Sequence, residues 1–363
     1  MPLLPLHAVD PARFDRADVL KRLNGASRAL AELKGVAASI PNQNILINTL
    51  TLQEARDSSA IENIVTTQDD LYREDNAADA TGTAVKEVLR YRQALQAGFA
   101  QTRASGLLTR NTILDIQQQL ECNRAGLRKL PGTALRDGDG RLVYEPPQDA
   151  NEVARLMGEL ERFIHDEPAY QADPLVKMAL IHHQFESIHP FYDGNGRTGR
   201  IINVLYLVKE GLLDIPVLYL SRHMVRTKPD YYRLLQAVRE TDAWEDWVLY
   251  MLEAVANTAR ETIRTIQAIR TLLQQTKQRV RDGYRFYSQD LINNLFNHPY
   301  TRVEFVQRDL GVSRITATRY LDKLAEDGVL EKLRIGRNNY YVNRPLFGLL
   351  GRDQLADEGA RPQ

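Results

Sequence analysis

Apolar residues recur at steps of three and four along most of this chain, and that period dictates helix wherever it holds. Val19, Leu23, Ala26, Leu30 and Leu33 mark one face of a helix running from Asp15 to Leu33. The spacing predicts further helices from about Ile45 to Ser59, Val85 to Ala100, Val153 to His165, Leu175 to Ser187 and Thr198 to Lys209. Met178, Leu180 and Phe185 fall on core-facing positions. The polar stretch from Asp75 to Thr83 reads as a loop, and either Asp149 or Asn151 suits the cap ahead of Val153. One long helix is expected from Glu245 to Lys277. Its stripe through Leu252, Val255, Ile263, Ile266 and Leu273 serves either its own domain or a dimer.

Two places break the helical period. Asp137-Gly138-Asp139-Gly140, between short flanks holding Leu135, Leu142 and Val143, is a hairpin turn signal. Pro146-Pro147 ends that extended stretch. Near the C-terminus, Glu304 to Leu310, a Gly311-Val312-Ser313 turn and Arg314 to Asp327 make a helix-turn-helix pattern. Two short strands around Gly336-Arg337-Asn338 follow, which is the plan of a winged helix. The expected fold class is mainly α: a helical core with a β-hairpin flap, plus a C-terminal winged helix-turn-helix domain.

Charge narrows the function classes. Lysine plus arginine is 47 and aspartate plus glutamate is 47, so the chain has no global pull toward nucleic acid or membrane. Cys122 is the single cysteine, which excludes an intramolecular disulfide framework and any multi-cysteine metal site; it reads as an inert thiol. No apolar run approaches the roughly 20 residues that span a bilayer. The start, Met1-Pro2-Leu3-Leu4-Pro5-Leu6-His7, has no basic region ahead of its apolar stretch, so the cytoplasm is the expected location.

The chemistry concentrates in His189-Pro190-Phe191-Tyr192-Asp193-Gly194-Asn195-Gly196-Arg197-Thr198-Gly199-Arg200. The run lies between two helices, so its end is a helix N-terminus, with unpaired N–H groups and a partial positive charge that favour an anion. Gly194 and Gly196 let the backbone approach that anion without a Cβ. Arg197 and Arg200, three apart on the first turn, are placed to fork onto phosphate oxygens. Asp193 suits a Mg²⁺ held between a carboxylate and substrate phosphates. His189 is the one group in the run able to accept a proton near neutral pH. The bland alternative is a tight glycine-rich connection whose arginines face solvent. His182 and Glu186, four apart on a helix, could share a metal; otherwise His182 is a buried, hydrogen-bonded histidine.

The run resembles the motif of the Fic family, histidine-proline-phenylalanine-x-acid-glycine-asparagine-glycine-arginine-x-x-arginine, without a departure. The resemblance extends through His182 to Ile188 upstream and Asp230-Tyr231-Tyr232 downstream, and covers most of residues 1 to 250. It implies a protein adenylyltransferase that moves AMP from ATP to a tyrosine, serine or threonine hydroxyl of a target protein, or of itself. His189 would be the base and Asp193 would hold Mg²⁺. The backbone at Gly194, Asn195 and Gly196 would cradle the phosphates, with Arg197 assisting and Arg200 fixing the γ-phosphate. Asn203 and Tyr231 would line the adenine pocket, Phe191 would anchor the loop in the core, and Tyr192 receives no role. The hairpin, with Leu135, Arg136, Leu142 and Val143, is similar to the family's flap, which pins an extended target segment.

Upstream, Ser58-Ser59-Ala60-Ile61-Glu62-Asn63 resembles the family's inhibitory motif, fitting as Ser58, Glu62 and Asn63. The resemblance implies that Glu62 pairs with Arg200 and denies it to the γ-phosphate, within one chain rather than through a separate antitoxin. In some relatives the same glutamate also helps to remove AMP. The expected divisions are an N-terminal helical region at 1–100, a catalytic core at 101–245, a connecting helix at 246–282, the winged helix at 283–345 and a loose tail at 346–363.

Between Tyr300 and Pro345 nine basic residues stand against six acidic ones, a balance of +3. Arg314 and Arg319 on the second helix, with Arg334 and Arg337 on the wing, suit DNA, while a winged helix equally suits protein docking or dimerisation. Three readings follow: AMP transfer, transfer of another phosphate-containing group on the same fold, and a DNA-binding regulator that senses nucleotide.

Overall fold

The computed structural model describes residue 3 and residues 5–74, 82–165, 170–335 and 338–358, with only the backbone of residue 74 and of residues 352–358. The expected loop from Asp75 to Thr83 falls mostly outside these residues, as do Gly336 and Arg337 of the wing. Two short 3₁₀ turns, Leu6–Ala8 and Pro11–Phe14, precede α1 (Ala17–Ala38) and α2 (Asn44–Ile61). Next come α3 (Gln68–Glu74), α4 (Thr83–Ser105), α5 (Arg110–Glu121) and the hairpin β1 (Leu135–Arg136) and β2 (Leu142–Tyr144). The central part holds α6 (Ala150–His165), α7 (Pro174–Ile188), α8 (Asn195–Lys209), α9 (Leu220–Arg226), α10 (Lys228–Thr241) and α11 (Trp244–Gly283). The C-terminal unit is α12 (Gln289–Asn297), β3 (Tyr300–Thr301), α13 (Val303–Leu310), α14 (Arg314–Glu326), β4 (Glu331–Ile335), β5 (Asn338–Val342) and α15 (Arg344–Glu358).

Antiparallel α7 and α8 form the centre: every residue of α7 from Leu175 to Ile188 is buried, and so is nearly all of α8 from Asn195 to Leu207. Asp173 caps α7 by accepting from the Leu175 N–H, with Pro174 at the first helical position. Gly199 of α8 lets the two helices touch: a Cβ there would run into Glu186 Oε1 and the Phe185 ring. Around this pair lie α4, α5, α6 and α11.

α11 is 40 residues long, about 60 Å, and its first turns pack on α7 while α1 runs alongside. The stripe predicted for a dimer or for the protein's own domain is buried within this chain: Leu252, Val255, Ile263, Ile266 and Leu273 are all covered. Trp247 is fully buried, donates Nε1–H to the Ala179 carbonyl at 2.8 Å and stacks on His182.

The hairpin closes as its turn residues require. Asp137 Oδ1 accepts from the N–H groups of Asp139 and Arg141, and Gly140 takes a positive φ of 78°. Leu135 pairs with Tyr144 and Arg136 with Leu142, which leaves Val143 as a bulge. Asp149, rather than Asn151, caps α6, accepting from the Asn151 and Glu152 N–H groups.

At the C-terminus the helix, turn, helix and two strands expected from the sequence are present, in an antiparallel sheet of order β3-β5-β4. The tail expected to be loose from residue 346 instead continues as α15, because Leu346 and Leu350 are buried there and Gln53 of α2 donates to the Leu350 carbonyl at 2.5 Å. Helices α3, α5, α9, α10 and α12 are not among those that the sequence predicts.

Trp247→Ala removes both the indole packing and a buried hydrogen bond. It is expected to lower stability by about 3–5 kcal/mol, read as a lower urea midpoint by circular dichroism.

Candidate active site

Whatever stands at the end of α7 must satisfy its last carbonyls, since a helix C-terminus leaves four without intrahelical donors. Here side chains from separate elements supply the donors. Arg239 of α10 donates Nη2–H to the Glu186 carbonyl at 3.4 Å, and Tyr144 of β2 donates its hydroxyl to Ser187 O at 2.9 Å. Arg128, buried in the loop after α5, donates to Ile188 O at 3.3 Å and to His189 O at 2.8 Å. It also reaches the Pro147 carbonyl, and its own N–H donates to Pro190 O at 2.9 Å.

These bonds fix His189 in a left-handed conformation, φ 47° and ψ 60°, with its N–H on the Phe185 carbonyl at 3.0 Å. For a residue with a Cβ that conformation costs roughly 1–2 kcal/mol. Burial pushes the His189 imidazole down to about 4, and the cations Arg239 and Arg128 push the same way. At neutral pH it is therefore an uncharged base.

Asn195 closes the loop that follows. Its Oδ1 accepts from the Phe191 N–H and its Nδ2 donates to the Phe191 carbonyl, both at 2.9 Å. Phe191 is fully buried and packs near Phe185. Tyr192, given no role from the sequence, accepts from the N–H groups of Lys129 (2.9 Å) and Leu130 (3.2 Å), so it pins the loop that carries Arg128. Gly194 starts α8 with a φ of 77°. The Asp193 side chain is 76% exposed; its Oδ1 accepts from the Gly194 N–H at 2.6 Å and stands 3.9 Å from Arg197 Nη2. That open carboxylate fits a Mg²⁺ shared with phosphates. Among the described residues no group of three or more His, Cys, Asp or Glu side chains forms a metal cage.

Both arginines of the run are engaged. Arg200 is fully buried; its Nε donates to Ser58 Oγ at 2.7 Å, and its Nη2 donates to Ser58 O at 3.0 Å and to Glu62 Oε1 at 2.9 Å. Asn63, with φ 62°, ends α2 immediately after Glu62 and accepts from Lys228 Nζ at 3.0 Å. Burial works to raise the Glu62 carboxyl, but the Arg200 charge and hydrogen bond outweigh it and hold the group below its ordinary value of 4.5. Arg197 is held by Glu121 of α5 at 2.8 Å and Glu87 of α4 at 3.1 Å. The two glycines of the cradle face these acids: a Cβ on Gly196 would overlap Glu62 Oε1, and a Cβ on Gly194 would overlap Glu121 Oε1. Burial raises the Glu121 carboxyl; Arg197 opposes this, while Asp193 and Glu87 add to it. Glu186, buried behind Arg200, is pushed up to about 7 by the same effect.

His182 is a buried structural histidine. Tyr231 OH lies 2.9 Å from its Nε2 and Asn203 Nδ2 lies 3.1 Å from its Nδ1, so neither ring nitrogen is left for a metal. Asn203 and Tyr231, expected to line the adenine pocket, are both buried, and each places a polar group beside His182. Tyr232, the next residue, is 44% exposed and lies in the field of Glu62 and Arg200. In the flap, Leu142 (56% exposed) and Val143 (41% exposed) face outward, Leu135 is half-buried, and Arg136 turns back onto the Gly140 carbonyl.

Sequence reasoning missed Arg128, Arg239, Glu87, Glu121 and Tyr144. They lie far from the run in sequence, and no local spacing signals them.

Fold and site together define a helical protein with a glycine-rich loop, carrying His189 and Asp193, between its two innermost helices. Residues 20–100 match the model of the Fic/DOC family N-terminal region and residues 107–207 that of the Fic/DOC family itself. Residues 272–346 match the C-terminal domain described as protein adenylyltransferase SoFic-like. The chain belongs to the Fic/DOC family. It is similar to protein adenylyltransferase Fic of Aedes aegypti, 27% identical over 139 residues, 38% of this chain and 27% of that protein. To the protein of the same description from Drosophila melanogaster it is 33% identical over 96 residues, 26% of this chain and 18% of the other. The chain thus spans less than a third of either relative. Among solved structures it resembles a Fic family protein from Desulfovibrio desulfuricans G20, with a TM-score of 0.56, 22% identity, and coverage of 88% of this chain and 95% of that one. Fic-1 of C. elegans gives a TM-score of 0.53 at 18% identity, over 69% and 74% of the two chains.

The Glu62–Arg200 pair predicts a pH dependence. A carboxyl held below 4.5 in the folded state contributes stability that is present above 4.5 and lost as pH falls through its lower folded value. Glu62→Gln should therefore lower the melting temperature at pH 7, and the gap to wild type should close below pH 4.5 in a thermal series.

Proposed function

We propose that this protein transfers AMP from ATP to a tyrosine, serine or threonine hydroxyl of a protein, and that Glu62 restrains it. The observation that carries the reading is His189, fixed in a left-handed conformation beside a helix N-terminus whose two arginines are held by carboxylates of the same chain. Relatives described as protein adenylyltransferases support it.

In this reading the target hydroxyl loses its proton to the His189 imidazole as its oxygen attacks the α-phosphorus of ATP. The bond from the α-phosphorus to the bridging oxygen breaks, and pyrophosphate leaves. The N–H groups of the first turn of α8, without intrahelical acceptors, meet the phosphates, and Gly194 and Gly196 admit them closely. Asp193 would hold a Mg²⁺, which neutralises charge on the leaving group. Arg200 would bind the γ-phosphate once Glu62 withdraws; while Glu62 stays, the nucleotide sits displaced, and about 1 Å of displacement costs about 100-fold in rate. Leu142 and Val143 offer the exposed edge against which an extended target segment lies. In the C-terminal unit Glu304 pairs with both Arg302 (3.4 Å) and Arg314 (3.2 Å).

Purified protein with Mg²⁺ and ATP labelled at the α- or the γ-phosphate tests the reading. Label from the α-phosphate alone is expected on protein, stronger in Glu62→Gly by about 100-fold and absent in His189→Ala. Label from the γ-phosphate would mean phosphate transfer and overturn it.

Glu121 extends the restraint to the second arginine. In the Glu62→Gly background, Glu121→Gln should tighten ATP binding by about tenfold in calorimetry, since Arg197 then has one carboxylate fewer to leave. Weaker binding would instead make Glu121 a support for Arg197.

A further inference from the structure

We infer that Arg239 is a positioning residue that ties the flap to the end of the helix carrying His189, so that target capture and base alignment are set by one side chain. The inference rests on the AMP-transfer reading for its purpose, though not for its geometry.

Arg239 lies on α10, outside the motif, and touches two elements at once. Its Nε donates to Ser187 Oγ at 3.0 Å and its Nη2 to the Glu186 carbonyl at 3.4 Å, in the last turn of α7 before His189. Its guanidinium carbon stands 4.0 Å from the centroid of the Tyr144 ring, on flap strand β2. Tyr144 closes the circle, because its hydroxyl donates to Ser187 O, next to the carbonyl that Arg239 holds. One turn earlier on α10, Gln236 donates Nε2–H to the carbonyl of the bulged Val143 at 3.1 Å, and Arg239 Nη1 donates to Gln236 Oε1 at 3.5 Å. A two-stranded hairpin is marginal alone, so these contacts hold the flap against the site.

The planar fork of arginine is what the position needs, since one face stacks on the aromatic ring while the edge bonds two oxygens. A lysine keeps the charge but cannot do both. The charged groups facing His189 are Arg239 from α10, Arg128 from the loop after α5 and Glu62 from the end of α2. Loss of the Arg239 charge therefore leaves His189 easier to protonate, whereas lysine preserves that effect.

The test uses full-length protein carrying Arg239→Lys, Arg239→Gln or Tyr144→Leu, each checked for native circular dichroism. Hydrogen exchange of the 142–144 amides reads the flap, and NMR of ¹³C-labelled histidine reads the His189 titration. All three variants should speed flap exchange by about tenfold. The His189 titration should move up toward the ordinary histidine value in Arg239→Gln and stay in place in Arg239→Lys and Tyr144→Leu. Unchanged flap exchange in both folded Arg239 variants, or a His189 titration that ignores the glutamine substitution, would overturn the inference. If Arg239→Gln does not fold, a shifted His189 titration in Arg239→Lys or unchanged flap exchange in Tyr144→Leu overturns it. Neither readout needs AMP transfer: both responding in a protein that incorporates no α-label would sink the transfer reading and leave the positioning role standing.

Discussion

A guanidinium buried as completely as that of Arg200 has to find acceptors and an opposite charge, and much of the site follows from that need. The acceptors come from α2, as the Ser58 hydroxyl, the Ser58 carbonyl and the Glu62 carboxylate. α2 must therefore end against the start of α8, and Asn63 turns the chain away there in a left-handed conformation. Gly196 has to lack a Cβ because Glu62 fills that space. Burial pushes the nearby Glu186 up to about 7 against the pull of Arg200, while Glu62, in direct contact with the cation, is held below its ordinary value. A triphosphate bears the same charge as the carboxylate and seeks the same cation, so on the proposed reading substrate and restraint compete for one partner.

A second economy lies at the end of α7. Its last carbonyls need donors, and Arg128, Tyr144 and Arg239 provide them from three elements distant in sequence. Satisfying those carbonyls also fixes a histidine in a strained backbone, lowers its proton affinity with two nearby cations, and anchors the flap. The backbone's hydrogen-bond accounting and the site's geometry are met by the same side chains.

The C-terminal unit is joined to this arrangement through α2 and α3. Gln53 of α2 bonds the Leu350 carbonyl, Tyr72 of α3 stacks on Tyr300, and the Tyr300 hydroxyl meets Asp69. The helix that ends in Glu62 therefore packs both against α4, α8 and α9 and against α12 and α15 of the C-terminal unit.

The sequence by itself determined the helices with a strong apolar period, the hairpin and the helix-turn-helix, because those signals are local: a period, a turn dipeptide, a cap. It also singled out His189, Asp193, Arg197 and Arg200, because glycines, charges and a histidine crowd into one short run, while Glu62 came from the resemblance of its segment to the family's inhibitory motif. Tertiary structure alone decided that Glu87 and Glu121 hold Arg197, and that Arg128 and Arg239 act on His189 from outside the run. It alone placed Asn203 and Tyr231 beside His182, and gave the tail from residue 346 a helix by burying Leu346 and Leu350. Those outcomes rest on which distant side chain meets a buried charge or an unpaired carbonyl. That is fixed by the packing of whole helices, and no local spacing along the chain records it.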